Sequence, residues 1–213
     1  MQDLSTKLEL LKDYEKKHLD LAHKMLMAYK GAIYPVDLLA LGVLKRSMAL
    51  LIGFRGLIKS KNFICAAPLI RLQLDNCLRF YATHLVDDPH KFVLSVLSGI
   101  EIRKLKDRNG KKMTDRYLVE HLSQEFPWMK RVYKETSGFI HLSDKHILSI
   151  FRNPQDNRKI EILISSTDED IPLKFYHEAI DAFMAITEIV IWLIEGWIFT
   201  KDNPKLTEKS KNC

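Results

Sequence analysis

One long apolar stretch near the end of the chain constrains the fold more than any other feature. It reads AIDAFMAITEIVIWLIEGWIF over residues 179–199, and its three acids, Asp181, Glu188 and Glu195, recur every seven residues. In a helix this spacing puts the acids in one narrow stripe and leaves the rest of the circumference apolar. Three carboxylates within one bilayer span would be costly. We therefore expect a central core helix or one half of a dimer seam, and no membrane crossing.

Composition and charge predict a single folded domain. Apolar residues make up 46% of the 213 residues and charged residues 28%, which suits a full-sized core and argues against disorder. The formal net charge of +6 favours anionic partners without requiring one. We expect one helical domain over residues 1–200 and a flexible basic tail over residues 201–213.

The N-terminus and the cysteines predict a cytoplasmic protein. The opening sequence MQDLSTKLELLKDYEKKHLD is charged throughout and lacks the apolar run of a signal peptide. Cys65, Cys77 and Cys213 show no C-x-x-C spacing, and two of them lie in apolar helical sequence. We expect buried free thiols in a reducing compartment.

Helical periodicity dominates the chain before residue 140, and the period changes after it. The patterns predict helices at about residues 6–29, 36–59, 62–86, 90–107 and 114–124, and from 127 onward. ILSIFR and KIEILI then alternate around the turn residues NPQDN, which predicts a β-hairpin at about residues 147–164. The predicted fold is an all-α bundle of about five long helices and a short one, with this hairpin inserted before the last helix.

A polar ladder on the third predicted helix supplies the first candidate site residues. Arg71, Asp75 and Arg79 are spaced four apart, so they follow one face of the helix. An aspartate between two arginines is held ionised, and arginines present paired donors that suit carboxylates and phosphates.

A second ladder lies in YKETSGFIHLSDKH, residues 133–146. If this segment stays helical, Tyr133, Ser137 and His141 share one face. Buried groups of this kind need partners. We therefore expect the two ladders to face each other, with His141 against the first ladder and with Tyr133 and Ser143 at its edge.

Three interpretations of the facing ladders remain open. The first is a structural hydrogen-bond network that joins two helices. The second is a catalytic site, in which His141 is the general acid or base, Asp75 sets its tautomer and Arg71 stabilises an anionic transition state. The third is a ligand site without chemistry.

Other site classes have weaker support. His141, Asp144 and His146 are suitable metal ligands by type, but no second cluster supplies the remaining ligands, so we predict no metal and no other cofactor. Ser137 and Ser143 lack the G-x-S-x-G elbow of serine hydrolases. The absence of a Walker loop and of a Rossmann glycine pattern argues against nucleotide hydrolysis and redox cofactors.

Two segments resemble a known group of proteins. AAPLIRLQLDNCLRFYATHL is similar to the arginine-and-acid helix of uncharacterised bacterial all-helical domains, and YKETSGFIHLS is similar to their Tyr-x-x-x-Ser-x-x-x-His-x-Ser segment. The resemblance covers roughly residues 35–199. These domains are similar in character to the HEPN superfamily, many of whose members are metal-independent ribonucleases of toxin–antitoxin and phage-defence systems.

The HEPN signature is an arginine followed closely by a histidine. The chain matches this signature twice, with Arg79 and His84 in RFYATH and with Arg116 and His121 in RYLVEH. The resemblance implies an effector of stress or phage defence.

Two hypotheses about function therefore remain open. The first is a metal-independent ribonuclease or nucleotide-handling effector that uses His141 or His84, with Arg71 and Arg79 on a phosphate of RNA or of a nucleotide. The second is a non-enzymatic module that forms a homodimer or binds a helical partner through residues 179–199, and whose polar ladders are structural.

Overall fold

The chain forms an α-helical bundle, which confirms the fold class expected from the sequence. The computed structural model describes residues 3–140, 147, 151–152, 161–168 and 170–204. Within these residues there are seven α-helices: α1 Leu4–Met27, α2 Pro35–Lys59, α3 Phe63–Tyr81, α4 Pro89–Leu97, α5 Asp115–Leu122, α6 Met129–Ser137 and α7 Leu173–Asp202.

Helix α3 is the centre of the bundle. It packs against α2, α5, α6 and α7, while α1 lies against α2 and α7. Most of the circumference of α3 is buried, including the polar side chains of Arg71, Gln73 and Asn76. In the core beside it, Phe54 of α2 stacks on Phe183 of α7, with ring centroids 4.4 Å apart and planes inclined by 10°. Polar groups on α3 must therefore find partners inside the protein.

The acidic stripe of α7 faces α1. Lys7 pairs with Asp181, and the Tyr14 hydroxyl donates to Glu188 Oε1 at 2.6 Å. Both members of the second pair lie seven residues further along their helices, so α1 and α7 run parallel. Glu195, the third acid of the stripe, is exposed. Part of the stripe is thus neutralised within the chain.

Helix α7 is the one helix of the described residues whose length and apolar composition would allow it to cross a membrane. Many of its apolar side chains, including Phe183, Val190 and Ile194, are buried in this bundle. A core helix satisfies the same criteria of length and composition.

A buried ion pair ties the end of α7 to the rest of the bundle. Lys201 Nζ lies 3.0 Å from Asp37 Oδ2, and both side chains have no solvent exposure. The same ammonium donates to the carbonyl of Met25 at 2.8 Å, and Trp197 Nε1 donates to Asp37 Oδ1 at 2.7 Å. The predicted start of the flexible tail at residue 201 therefore falls inside a packed helix, and residues 205–213 lie outside the described part.

Helix α4 is shorter than the sequence pattern predicts. It ends at Leu97, because Gly99 takes a left-handed conformation with φ +94° and its amide donates to the carbonyl of Val96. A glycine in this conformation is a common helix stop. The expected helix over residues 90–107 is therefore wrong after residue 97, and the chain continues as a short 3-10 turn at Ile102–Lys104.

The predicted β-hairpin falls largely on residues outside the described part. Phe151–Arg152 pairs antiparallel with Glu161–Ile162, and the connecting residues 153–160 are not described. The hairpin as a whole stays a prediction.

Candidate functional site: a histidine cleft beside an arginine–aspartate network

The first predicted ladder is part of an ion-pair network that joins α2, α3 and α5. Arg79 Nε donates to Asp75 Oδ1 at 2.8 Å, and Arg46 Nη1 donates to Asp75 Oδ2 at 2.8 Å. On the other side, Arg71 Nη2 and Arg79 Nη2 donate to the two carboxylate oxygens of Asp115, at 2.9 and 2.5 Å. Two carboxylates therefore pair with three guanidinium groups, and the network keeps a formal charge of +1.

Two residues of this network, Arg46 and Asp115, were not predicted from the sequence, and the one that brings α5 into the network is Asp115. It is the first residue of α5 and follows the N-cap residue Thr114. Partial burial would raise the pKa of the Asp115 carboxyl, but Arg79 and Arg71 outweigh burial and lower it. An acid in the first turn of a helix is a common local pattern. That local pattern does not predict that the partners of Asp115 are Arg79 and Arg71, which lie 36 and 44 residues away in the sequence.

The second predicted ladder is only partly within the described residues. The Tyr133 ring lies 4.3 Å from the Arg71 guanidinium carbon, as the facing arrangement requires. The Ser137 hydroxyl donates to the carbonyl of Tyr133 in its own helix at 2.6 Å. Helix α6 ends at Ser137, so the condition that the segment stays helical is not met at residues 138–140. His141 and Ser143 lie outside the described part of the chain, so their place in the site stays a prediction.

A second, deeper polar network was not predicted. His18 Nε2 lies 2.8 Å from Ser47 Oγ, and Gln73 Nε2 donates to both Ser47 Oγ and Thr187 Oγ1, at 2.6 and 2.9 Å. The Gln73 carbonyl accepts from Asn76, which joins this chain of bonds to the arginine network through Arg46.

His18 is neutral inside this network. Its Nδ1 lies 2.6 Å from the carbonyl of Tyr14, so Nδ1 carries the proton and Nε2 accepts from Ser47. Burial lowers the pKa of the His18 imidazole. The network joins α1, α2, α3 and α7 and is structural.

An open cleft of about 680 Å³ lies at the far end of α3. It is bounded by the 3-10 turn Ala82–Leu85, by α5 and by α7, and both histidines of the HEPN-like matches line it. Tyr81 joins them. Its hydroxyl lies 2.8 Å from His121 Nδ1, and its ring packs on the His84 ring with centroids 6.2 Å apart and planes inclined by 27°. Two histidines that are far apart in the sequence therefore share one tyrosine.

Neither arginine of the two matches is among the residues that line the cleft. Arg79 is held in the ion-pair network, and Arg116 is exposed and donates to Glu120 Oε1 at 3.0 Å. A step of five residues turns a side chain by roughly 140° about a helix axis. Arg116 and His121 therefore lie on different faces of α5.

The environment of the cleft sets the protonation of its side chains. His84 reaches solvent, but the protein atoms that surround it in the concave cleft lower the pKa of its imidazole, so the ring is neutral at pH 7. Burial and the nearby Glu125 raise the pKa of the Tyr81 hydroxyl, which therefore stays protonated. Because Tyr81 occupies Nδ1 of His121, Nε2 is the nitrogen of that ring that can exchange a proton with a ligand.

A basic loop borders the cleft. Residues 103–112, RKLKDRNGKK, carry six cationic side chains and one acid, and all six cations are exposed. They are Arg103, Lys104, Lys106, Arg108, Lys111 and Lys112. Because the formal net charge of the whole chain is +6, a large share of the basic excess is concentrated here. We call these residues the basic loop.

Asp107 gives the basic loop its shape. Its carboxylate accepts from the amides of Asn109 and Lys111 at 3.0 and 2.7 Å and from the Tyr117 hydroxyl at 2.6 Å. These bonds close a tight turn in which Gly110 takes φ +77°. They also lower the pKa of the Asp107 carboxyl, the largest cause being the bond from Tyr117. The one acid of the loop therefore binds the backbone of the loop and Tyr117, and so fixes the turn that presents the cations.

Arg108 anchors the basic loop to the turn that carries His84. Its Nη2 donates to the carbonyl of His84 at 2.7 Å, and its amide donates to the carbonyl of Leu85 at 2.9 Å. The cationic rim and one of the two histidines therefore form a single connected unit.

Comparison with protein-family models, with curated proteins and with solved structures gives no match. Within the part of the chain that the structure describes, no cluster of three or more histidine, cysteine, aspartate or glutamate side chains could hold a metal ion. Cys77 is buried, as expected, but Cys65 is exposed.

Proposed function

We propose that the protein is a metal-independent endoribonuclease whose active site is the cleft between His84 and His121. The observation that carries this proposal is the convergence of the two histidines on Tyr81 beside the basic loop. A pair of histidines supplies the base and the acid that phosphodiester cleavage needs. Exposed lysines and arginines hold the phosphate backbone.

The reaction follows from the substrate's own nucleophile. Neutral His84 takes the proton of a ribose 2′-hydroxyl, and the 2′-oxygen attacks the adjacent phosphorus. The bond from phosphorus to the 5′-oxygen breaks, and that oxygen takes a proton from Nε2 of His121. The products are a 2′,3′-cyclic phosphate and a 5′-hydroxyl. DNA lacks the 2′-hydroxyl and is therefore not cleaved.

The arginine ladder has a positioning role in this proposal. Arg71 and Arg79 hold Asp115 at the start of α5, and His121 lies near the end of the same short helix. Asp75 fixes Arg79 in turn. These side chains neutralise each other and so hold α5 against α3, while His84 and His121 perform the chemistry.

The HEPN-like resemblance supports RNA as the substrate and a role in stress or phage defence in the cytoplasm. We retain the β-hairpin insertion at about residues 147–164 as part of this proposal. An adjacent antitoxin-like or nucleotidyltransferase gene would support the assignment, since toxin and antitoxin genes are commonly neighbours.

The test is cleavage of single-stranded RNA in the presence of a metal chelator. We expect wild type to produce 2′,3′-cyclic phosphate ends, and His84→Ala and His121→Ala each to lose about 10²-fold or more of the rate. The matched control is His23→Ala, since His23 is exposed on α1 and does not line the cleft. Equal cleavage by all four proteins, no cleavage by wild type, or equal cleavage of DNA would contradict the proposal.

A second candidate function is a module that forms a homodimer or binds a helical partner through α7. It is favoured by Trp192 and Phe199, which are 53% and 61% exposed and lie seven residues apart on one face of the helix. We expect a dimer in light scattering that Phe199→Glu converts to a monomer. A wild-type monomer at high concentration would exclude the homodimer.

A further inference from the structure

We infer that the cleft takes single-stranded RNA, with an unpaired base stacked on Trp192 beside the two histidines. This inference deepens the proposed ribonuclease function and rests on it for the reaction. The binding that it describes can be measured without the reaction.

Trp192 is the exposed tryptophan of the chain. It lines the cleft from α7, while Trp197 is engaged with the buried Asp37 and Trp128 is half-buried against the core. The Phe126 ring supports the Trp192 indole at 6.1 Å and at an angle of 77°. A large, exposed apolar ring at the wall of a polar cleft leaves surface in water that a flat ligand would bury.

The cleft has room for a base next to this ring. Gly196 lies one helical turn after Trp192 and also lines the cleft, and a Cβ atom added to Gly196 would meet nothing within 4 Å. Thr200 lies one turn further along the same wall. The wall that α7 presents is therefore an aromatic ring followed by open space.

The exposed cations at the rim of the cleft favour a nucleic-acid strand over a protein partner, although the lining itself holds the carboxylates of Asp107 and Glu125 beside Arg108. An aromatic stacking surface beside exposed cations is the combination that binds single strands, because every base has a π-face and every nucleotide carries a phosphate. The basic loop supplies the cations. Arg108 and Asn109 of this loop line the same cleft as Trp192. Bases within a duplex are already stacked on each other and cannot offer a face to the indole.

Binding is tested with a protein that cannot cleave. The His84→Ala/His121→Ala double variant is titrated into a fluorescein-labelled oligouridine of about ten nucleotides and into a duplex of the same length, and anisotropy is recorded. We expect the single strand to bind more tightly. Adding Trp192→Ala should weaken its binding by roughly 5- to 100-fold, and Trp192→Phe should restore most of it.

The matched control is Phe175→Ala, which removes an exposed aromatic ring from the same helix outside the cleft. It should leave binding unchanged. Unchanged binding of Trp192→Ala, or equal binding of the duplex, would overturn the inference. A change that appears only in the molar mass of the protein would also overturn it, since Trp192 would then contact protein.

The outcomes separate this inference from the proposed function. If wild type does not cleave RNA but Trp192→Ala weakens binding, the stacking site stands and the ribonuclease falls. If His84→Ala abolishes cleavage but Trp192→Ala binds normally, the ribonuclease stands and the stacking site falls.

Discussion

Gly196 is the position where stability and activity are expected to change in opposite directions. It lies inside α7, and a side chain there would enter open space in the cleft. A glycine in a helix interior costs about 1 kcal/mol relative to alanine, whereas leucine costs only about 0.2 kcal/mol. Gly196→Leu should therefore raise the free energy of unfolding by about 0.8 kcal/mol. For a chain of this size the melting temperature should rise by about 2 °C.

The same substitution should impair cleavage. The leucine side chain would occupy the space beside Trp192 where the substrate is proposed to lie, and misplacement by about 1 Å costs roughly 10²-fold in rate. The matched control is Gly42→Leu on α2, since Gly42 is exposed and a Cβ atom there also meets nothing within 4 Å. Gly42→Leu should gain the same stability and cleave RNA normally.

Thermal unfolding followed by circular dichroism and the rate of cleavage of labelled RNA measure the two effects. A higher melting temperature with an unchanged cleavage rate in Gly196→Leu would refute the cleft as the substrate site. A lower melting temperature would refute the claim that the space beside this residue is open.

Three further predictions test the fold that positions the cleft. Lys201→Met leaves the buried Asp37 carboxylate without its cation and should lower the free energy of unfolding, measured in urea, by about 3 kcal/mol. Adding Asp37→Asn to this variant should restore part of the loss. Equal stability of wild type, the single variant and the double variant would contradict this prediction. Asp115→Asn removes the carboxylate that faces Arg71, whose side chain is 9% exposed. The substitution should lower the free energy of unfolding by about 2 kcal/mol and should also slow cleavage. An unaltered unfolding curve would show that the network does not hold α5. Because burial lowers the pKa of His18, the native state binds fewer protons than the unfolded chain as the pH falls through 6.5, so the stability of the native state declines below that pH. The fall in melting temperature between about pH 7.5 and pH 5.5 should therefore be smaller in His18→Gln than in wild type. An equal fall in the two proteins would exclude His18 as the cause.

Local signals in the sequence were sufficient where a structural feature spans only one helical turn. One predicted helix begins at Thr114, whose hydroxyl accepts from the amide of Tyr117 at 3.3 Å. Another begins at Asn62, whose side chain accepts from the amide of Cys65 at 3.1 Å. The end of α4 was not predicted correctly, because amphipathic spacing continues beyond Gly99.

The candidate site was only partly predictable. The spacing of Arg71 and Arg79 placed both on one face of α3, but nothing in it indicated that both would bind Asp115. His84 and His121 were each found through a family signature, and each was paired there with an arginine that does not line the cleft. Their shared contact with Tyr81 had no counterpart in the sequence pattern.

By itself, the sequence determined that this chain is a bundle of long helices, that the acids of α7 form one stripe, and that Arg71, Asp75 and Arg79 lie in line. These properties depend on backbone bonds and side-chain positions repeated every three or four residues. Only the tertiary structure decided which carboxylate each arginine binds and which two histidines meet. Those contacts join residues tens of positions apart, so they exist only after whole helices have packed against each other, and the packing depends on the buried apolar surface of every helix at once.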